Sequence, residues 1–348
     1  MSWPNDTSSA AVNRGASSRK PRLARTRKIP ADRQCVAVSA CKAVPCYHPL
    51  HGYRAKYENP ETGKRSWVSK LSKAKDAERL SIPCGRCVGC RLERSRQWAL
   101  RCVHEASLHE DNAFITLTYA PEHIPPGGTL IKKHFQDFVK RLRKHHEPRA
   151  VRYFHCGEYG DESKRPHYHG LLFGVAFADQ TLFKRSASGE AIYTSEILSR
   201  LWPAGFCTTG AVTFESAAYV ARYVMKKITG PDAAKHYQFT DPDTGEVHQR
   251  LPEYTTMSLK PAIAKNWYRD FKGDAYPSDF LVYRGKKMKP PKYYDRLLEL
   301  EDPIAHAAIK ARRTEEALLR QGDSTTARLA VREEVKLAQI KSLKRGLE

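Results

Sequence analysis

The sequence predicts an α+β fold: an antiparallel central sheet with helices on one side, a Cys-rich N-terminal knuckle before it and charged helices after it. Three observations carry that prediction. "AFITLTY" (113–119) alternates and is rich in β-branched residues, the pattern of a strand. "IKKHFQDFVKRLRKHH" (131–146) puts Ile131, Phe135, Phe138, Val139 and Leu142 on one helical stripe, with a basic face opposite. "VRYFHCGEYG" and "HYHGLLFGV" then read as two strands joined by the polar turn "DESKR".

Taken in order, residues 1–34 are poor in apolar side chains. They carry Arg14, Arg19, Lys20, Arg22, Arg25, Arg27, Lys28 and Arg33 among Ser, Ala and Pro. This predicts a basic disordered arm, serving as a phosphate contact or as a solubilising tail. Residues 35–91 form a Cys-rich segment. "LERSRQWALRCVHEASLH" (92–109) has helical spacing with Trp98, Cys102 and Ala106 on one side. After the strand, helix and strand pair comes "SEILSRLW" as a short helix and "AVTFE" as a short strand. "SAAYVARYVMKK" is a helix, with Ser216 expected at its N-cap. The core so defined runs over 92–230. Gly230, Pro231 and "DPDTGE" open a loop-rich extension, 231–301. The tail, 302–348, reads as charged helices with a thin apolar seam of Val331, Val335 and Ala338.

Composition narrows the function classes. The chain has 348 residues, 41% of them hydrophobic, enough for a real core. No apolar run approaches the roughly 20 residues that span a bilayer. The N-terminus lacks the charged-then-apolar order of a secretory signal, so a cytoplasmic location is expected. Sixty basic against 38 acidic residues leave +22, which favours a polyanion, nucleic acid before an anionic membrane surface. In a reducing compartment the nine cysteines point to metal ligands or buried thiols before disulfides.

Three groups of residues carry chemistry. His167 and His169 stand two apart on a predicted strand, so both face the same way and can converge on one divalent cation. Glu158, near the end of the preceding strand, is the natural third ligand; Asp161 and Glu162 in the turn are rivals. The plain alternative is a surface or hydrogen-bonded histidine pair. On the helix "YVARYVMKK", Tyr219, Arg222, Tyr223 and Lys226 share an arc of roughly 100°, opposite Val220, Ala221, Val224 and Met225. These are surface tyrosines with cationic neighbours, or phenol nucleophiles. A phenol of pKa near 10 needs a metal-polarised phosphodiester and nearby cations to attack at neutral pH. Third, Cys84, Cys87 and Cys90 form overlapping C-x-x-C pairs suited to structural Zn²⁺, with Cys46, Cys41 or His48 as fourth ligand. Arg91, Arg94, Arg96 and Arg101 follow on a helix that could track phosphates, whereas Cys35, Cys102, Cys156 and Cys207 suit packing. Thr116 and Thr118 are taken as β-formers rather than partners of the metal site.

"RPHYHG" followed by "YVARYVMKK" resembles the HUH endonucleases that start rolling-circle replication. "CGRCVGCRLERSRQWALRC", "FITLTY", "CGEYG", "RPHYHGLLFG", "LWPAGF" and "VTFESAAYVARYV" resemble, in the same order, the VP4 replication initiators of gokushoviruses, phages of the Microviridae. The resemblance spans about residues 41–295 and implies an HUH, palm-like nuclease domain. It implies Mg²⁺ or Mn²⁺ on His167, His169 and Glu158, the nine-residue gap from Glu158 to His167 fitting related viral initiators. It further implies that Tyr219 and Tyr223 alternate as nucleophiles on single-stranded and supercoiled origin DNA, one leaving a 5′-phosphotyrosine and a free 3′-OH. Host helicase, single-strand-binding protein and DNA polymerase are the implied partners. Related initiators often place Lys where this chain has Arg222, so any proton shuttling passes to Lys226 or is lost. Competing expectations are a plasmid or transposon nickase of the same chemistry, a zinc-containing protein that only binds nucleic acid, and a metal phosphodiesterase that uses water.

Overall fold

β4 (Asn112–Thr118) and β6 (Pro166–Phe173) lie side by side in the middle of the sheet, and both alternate apolar residues toward two faces. A strand with Tyr168 and Leu172 on one side, and Leu171 and Phe173 on the other, stays buried only if both sides are covered. The surrounding chain supplies two covers. The computed structural model describes residues 46–61, 63, 65–160, 163–186, 189–223, 233–241 and 244–342, with the side chain of Tyr223 excepted. These belong to one unit, Ala40–Glu348; the basic arm, Cys35 and Cys41 lie outside the described residues.

In chain order, β1 (Leu50–Glu58), β2 (Arg65–Val68) and β3 (Leu80–Ile82) make a small antiparallel sheet ahead of α1 (Val88–Ala106). β4 leads to α2 (Lys132–His146), then β5 (Arg152–Tyr159), β6, β7 (Thr181–Arg185) and β8 (Ala191–Thr194). α3 (Glu196–Leu201), β9 (Cys207–Gly210) and α4 (Phe214–Tyr223) follow. Beyond them lie α5 (Ala233–His236), β10 (Gln238–Thr240), β11 (Val247–Gln249) and β12 (Tyr254–Met257). The chain continues through α6 (Lys265–Phe271), β13 (Leu281–Tyr283), β14 (Lys286–Met288), α7 (Lys292–Glu301), α8 (Pro303–Leu319) and α9 (Thr326–Ser342).

The central sheet has the order β12-β5-β6-β4-β9-β8-β7, with antiparallel neighbours throughout. The expected α+β class and antiparallel sheet are therefore found, and the helical cover extends to both faces. On one face, α1 (Ala99, Leu100, Cys102) and α4 (Ala217, Val220, Ala221) pack on Phe154, Cys156, Leu171 and Phe173. On the other, the stripe Phe135, Phe138, Val139 and Leu142 of α2 meets Ile115, Leu117, Tyr168 and Leu172. Fully burying side chains of this size contributes roughly 1.5–3 kcal/mol each.

Four local expectations differ from the structure. "AVTFE" is not a strand. Thr213 Oγ1 accepts from Ser216 N–H (3.1 Å), while Thr213 N–H donates to Ser216 Oγ (2.8 Å). That reciprocal cap starts α4 at Phe214, so the capping residue is Thr213 and Ser216 is its partner inside the first turn. The β7–β8 hairpin has no counterpart in the elements expected from sequence, because exposed Leu182, Phe183 and Lys184 do not alternate. The loop-rich segment contributes β12, an edge strand of the main sheet. In the tail, Val331, Val335 and Ala338 are exposed; α9 instead buries Leu329 against Tyr47 and the cysteine segment.

Candidate active site

Strand register brings the triad together. Glu158 of β5 lies directly opposite His167 of β6, and His169 follows two residues later on the same face. Glu158 Oε1 is 2.9 Å from His167 Nε2 and 2.8 Å from His169 Nε2. The ligand atoms of the three side chains lie within 4.8 Å of one another. Glu158 is 1% exposed and His169 3% exposed, so the carboxylate sits in a nearly dry environment. Burial pushes the Glu158 carboxyl up, but hydrogen bonds from His167 and His169 outweigh it and hold the group below the ordinary range. Asp161 and Glu162 lie outside the described residues.

Each imidazole is also held from behind. His167 Nδ1 donates to the carbonyl of Arg165 (3.1 Å), and since a carbonyl only accepts, Nε2 is the atom turned toward Glu158. His169 Nδ1 is 2.9 Å from Thr116 Oγ1, its direct neighbour across the β4–β6 ladder. Such outer partners orient histidines that ligate through Nε2. Thr116 thus supports the site, contrary to its reading as a β-former; strand alternation had placed it on a face, but the pairing of β4 with β6 was not written in the sequence. Thr118, opposite His167, donates its hydroxyl to the carbonyl of Phe206 (2.7 Å).

α4 crosses this face and delivers Tyr219. Its ring stands edge-on to His169, centroids 5.1 Å apart and planes at 86°, and edge-on to Phe114 at 6.4 Å. Ala217, Val220 and Ala221 are buried beneath the helix while Arg222 is exposed, as the helical arc predicts. The Arg222 guanidinium lies 6.0 Å from the Tyr219 ring centre. Tyr223 is one helical turn on, about 6 Å along the axis. Its side chain, with Val224, Met225 and Lys226, lies outside the described residues.

Two other sequence expectations resolve differently. On α1, Arg101 is buried, stacked over Trp98 (4.1 Å) and Tyr293 (3.9 Å), and donates to the carbonyl of Ile263. Arg96 is bound to Glu93 and to the carbonyl of Lys289. Neither is free to track phosphates, because this stretch of helix is packed into the protein. Cys46, Cys84, Cys87 and Cys90 do come together, their sulfurs within 4.8 Å. His48 is turned to Glu333 instead (2.7 Å). Cys102, Cys156 and Cys207 are buried free thiols, as expected of packing residues.

The family model for the replication-associated protein ORF2 matches residues 112–228, from β4 to just past α4. The replication-associated protein VP4 of Bdellovibrio phage phiMH2K is 34% identical over 258 residues, covering 72% of this chain and 75% of that protein. The replication-associated protein ORF2 of Spiroplasma virus 4 is 35% identical over 233 residues, 64% and 68% of the two chains. ORF4 of Chlamydia phage 1, a replication-associated protein, is 27% identical over 226 residues, covering 62% of this chain and 53% of its own. No solved structure matches the chain.

Proposed function

The chain belongs to the VP4-type replication-associated proteins of the Microviridae, and on that premise we propose that it nicks the viral plus strand at the origin and later rejoins the displaced strand into a circle. The observation that carries this reading is the meeting of Tyr219 with the Glu158–His167–His169 triad on one sheet face. The net charge of +22 suits a DNA substrate.

The triad fits a divalent cation. Two imidazoles and a carboxylate converge, and both imidazoles have their Nδ1 atoms occupied by outer partners. Glu158, His167 and His169 would hold Mg²⁺ or Mn²⁺, which when bound polarises the scissile phosphodiester. The remaining work falls to the protein. Tyr219 Oη forms a bond to phosphorus and gives up its proton; the bond to the 3′-oxygen breaks, and that oxygen takes up a proton to leave a free 3′-OH. Arg222, close to the ring, favours the developing negative charge. The 5′-phosphotyrosine preserves the phosphodiester bond energy, so joining needs no nucleotide cofactor. Tyr223, one turn further, would cleave the regenerated origin, and the new 3′-OH would then attack the first phosphotyrosine to close the circle. Extension and unwinding require a polymerase, a helicase and a single-strand-binding protein, which the host supplies on this reading. The reaction would take place in the host bacterial cytoplasm. Among the described residues no helix is long and apolar enough to cross a membrane.

The test incubates the full chain with Mn²⁺ and labelled single-stranded DNA carrying the phage's own origin, followed by denaturing electrophoresis. Wild type should give a covalent protein–DNA band and a Tyr219→Phe, Tyr223→Phe double variant none. A native shift with no adduct would mean binding alone. Cut DNA free of protein would mean hydrolysis by water. Either outcome overturns the proposal.

A further inference from the structure

We infer that Cys46, Cys84, Cys87 and Cys90 form a closed tetrathiolate zinc site that clasps the chain ahead of β1 to the start of α1. The nearest measured sulfur pair, Cys46 and Cys87, is 3.9 Å apart. That is about the edge of a tetrahedron with Zn–S bonds near 2.3 Å, and far beyond the roughly 2 Å of a disulfide. All four cysteines are free. Backbone N–H groups point at the sulfurs: Cys84 N–H at Cys46 Sγ (3.2 Å), Cys87 and Arg86 N–H at Cys84 Sγ (3.3 and 3.4 Å), and Tyr47 and Cys90 N–H at Cys87 Sγ (3.4 and 3.5 Å). Cys87 is also the N-cap of α1, where the helix dipole favours a thiolate. Four protein sulfurs leave no open position, which marks a structural site.

Its placement says what it holds. The cysteines pack with Tyr47, Val88 and Leu329 of α9, and Glu333 on the same helix pairs with His48. α1 runs from the clasp to α4, where Ser95 Oγ donates to the carbonyl of Ala218 (2.9 Å), the residue before Tyr219. The clasp therefore anchors the small sheet and α9 to the helix that braces the proposed nucleophile. The full chain, purified with added zinc and dialysed, should retain a single zinc ion. Replacement by Co²⁺ should give the intense thiolate-to-metal absorption and the visible bands of a tetrahedral tetrathiolate. Cys46→Ser should weaken or alter that spectrum, while His48→Ala should leave it unchanged. In wild type, chelation should raise hydrogen exchange in β1–β3 and α9 before β4–β6. Folded wild type without zinc, a Co²⁺ spectrum indifferent to Cys46→Ser, or unchanged exchange on chelation would each overturn the proposal.

A different observation concerns the DNA path, and it rests on the nicking reading. Phe206 continues β9 opposite Thr118, its carbonyl taking the Thr118 N–H (2.9 Å), and Thr118 lies opposite His167. By strand alternation Phe206 shares the face of the triad, two strand spacings or about 10 Å from His167. Gly205, with φ at 156°, permits this approach: a Cβ there would stand 2.3 Å from the Ala120 nitrogen. The Phe206 ring pairs with Phe183 of β7 (5.3 Å), and both rings are about half exposed. Lys184 and Arg185 beside them are exposed cations. A cleft lined by Phe114, Thr116, Ile192, Thr208 and Ser216 lies on the same face. We propose that Phe183 and Phe206 are a stacking platform for a base of the single strand near the cleavage point, with Lys184 and Arg185 on its phosphates.

The test measures binding without cleavage: full chain carrying Tyr219→Phe and Tyr223→Phe, in chelator, titrated into labelled oligothymidine. Adding Phe183→Ala and Phe206→Ala should weaken binding about 5- to 150-fold. Leucine at both positions keeps apolar area without a π-face and should not restore binding. A Phe206→Trp variant should bind normally, with its added fluorescence quenched by DNA. Full affinity with leucine, or no quenching at saturation, overturns the platform. Because no bond is broken here, these results stand apart from the adduct test: an adduct without stacking would leave the nickase intact.

Discussion

Replacing Thr116 with valine tests the site through a residue that makes no contact with the proposed ion. The swap nearly conserves shape but removes the hydroxyl placed 2.9 Å from His169 Nδ1. His169 is 3% exposed, so water cannot easily take the hydroxyl's place. A hydroxyl can donate to a bare Nδ1 or accept from a protonated one, and so serves the imidazole with or without an ion on Nε2. Valine does neither. Leaving a buried polar atom unsatisfied costs about 1–3 kcal/mol, a factor of roughly 5–150 in an equilibrium constant. Removal of an outer partner of a metal-bound histidine typically costs about 10–100-fold in affinity, so the two routes agree. Calorimetric titration of Mn²⁺ into wild type, Thr116→Val and Thr116→Ser should show the valine variant weakened by that factor and serine near wild type. Circular dichroism should show all three folded. A folded valine variant binding Mn²⁺ within about twofold of wild type would refute the argument that Thr116 orients His169.

Three further outcomes are expected. Glu158→Gln should abolish measurable Mn²⁺ binding and adduct formation while secondary structure persists, since an amide lacks the charge both imidazoles face; unchanged binding by calorimetry would remove Glu158 from the site. Glu105→Ala should destabilise the fold by about 3–5 kcal/mol in urea titration, because it strands the Arg152 guanidinium and the Ala264 N–H that Glu105 accepts (2.6 Å). Burial brings both His104 and His155 down to about 3, so they stay neutral in the fold while the unfolded chain takes protons below about 6.5. Stability is then complete above pH 6.5 and falls as pH drops, by up to about 1.4 kcal/mol per unit for each ring, or roughly 4 kcal/mol in all by pH 5. Urea midpoints across that range should show it, and His155→Gln should remove about half of the slope.

How much of this was legible beforehand depends on whether the cue was local. The helical stripe of α2, the alternation of β4 and the pairing of His167 with His169 on one strand face follow from side-chain periodicity alone, as does the exposed arc of Tyr219 and Arg222. Glu158 was found because a short turn constrains which residues of a hairpin can meet. The cysteine cluster was visible in its spacing, although only the fold selected Cys46 over His48 by turning the histidine to Glu333.

What the sequence determined by itself was therefore the set of elements and the side chains each presents, because periodicity is a property of a few consecutive residues. Tertiary structure decided the contacts between segments far apart in the chain: Thr116 behind His169, Arg101 folded inward, Phe206 beside Phe183, Leu329 against the cysteines. Those depend on strand order and helix docking, which the burial of two sheet faces selects jointly across the chain and no single stretch encodes.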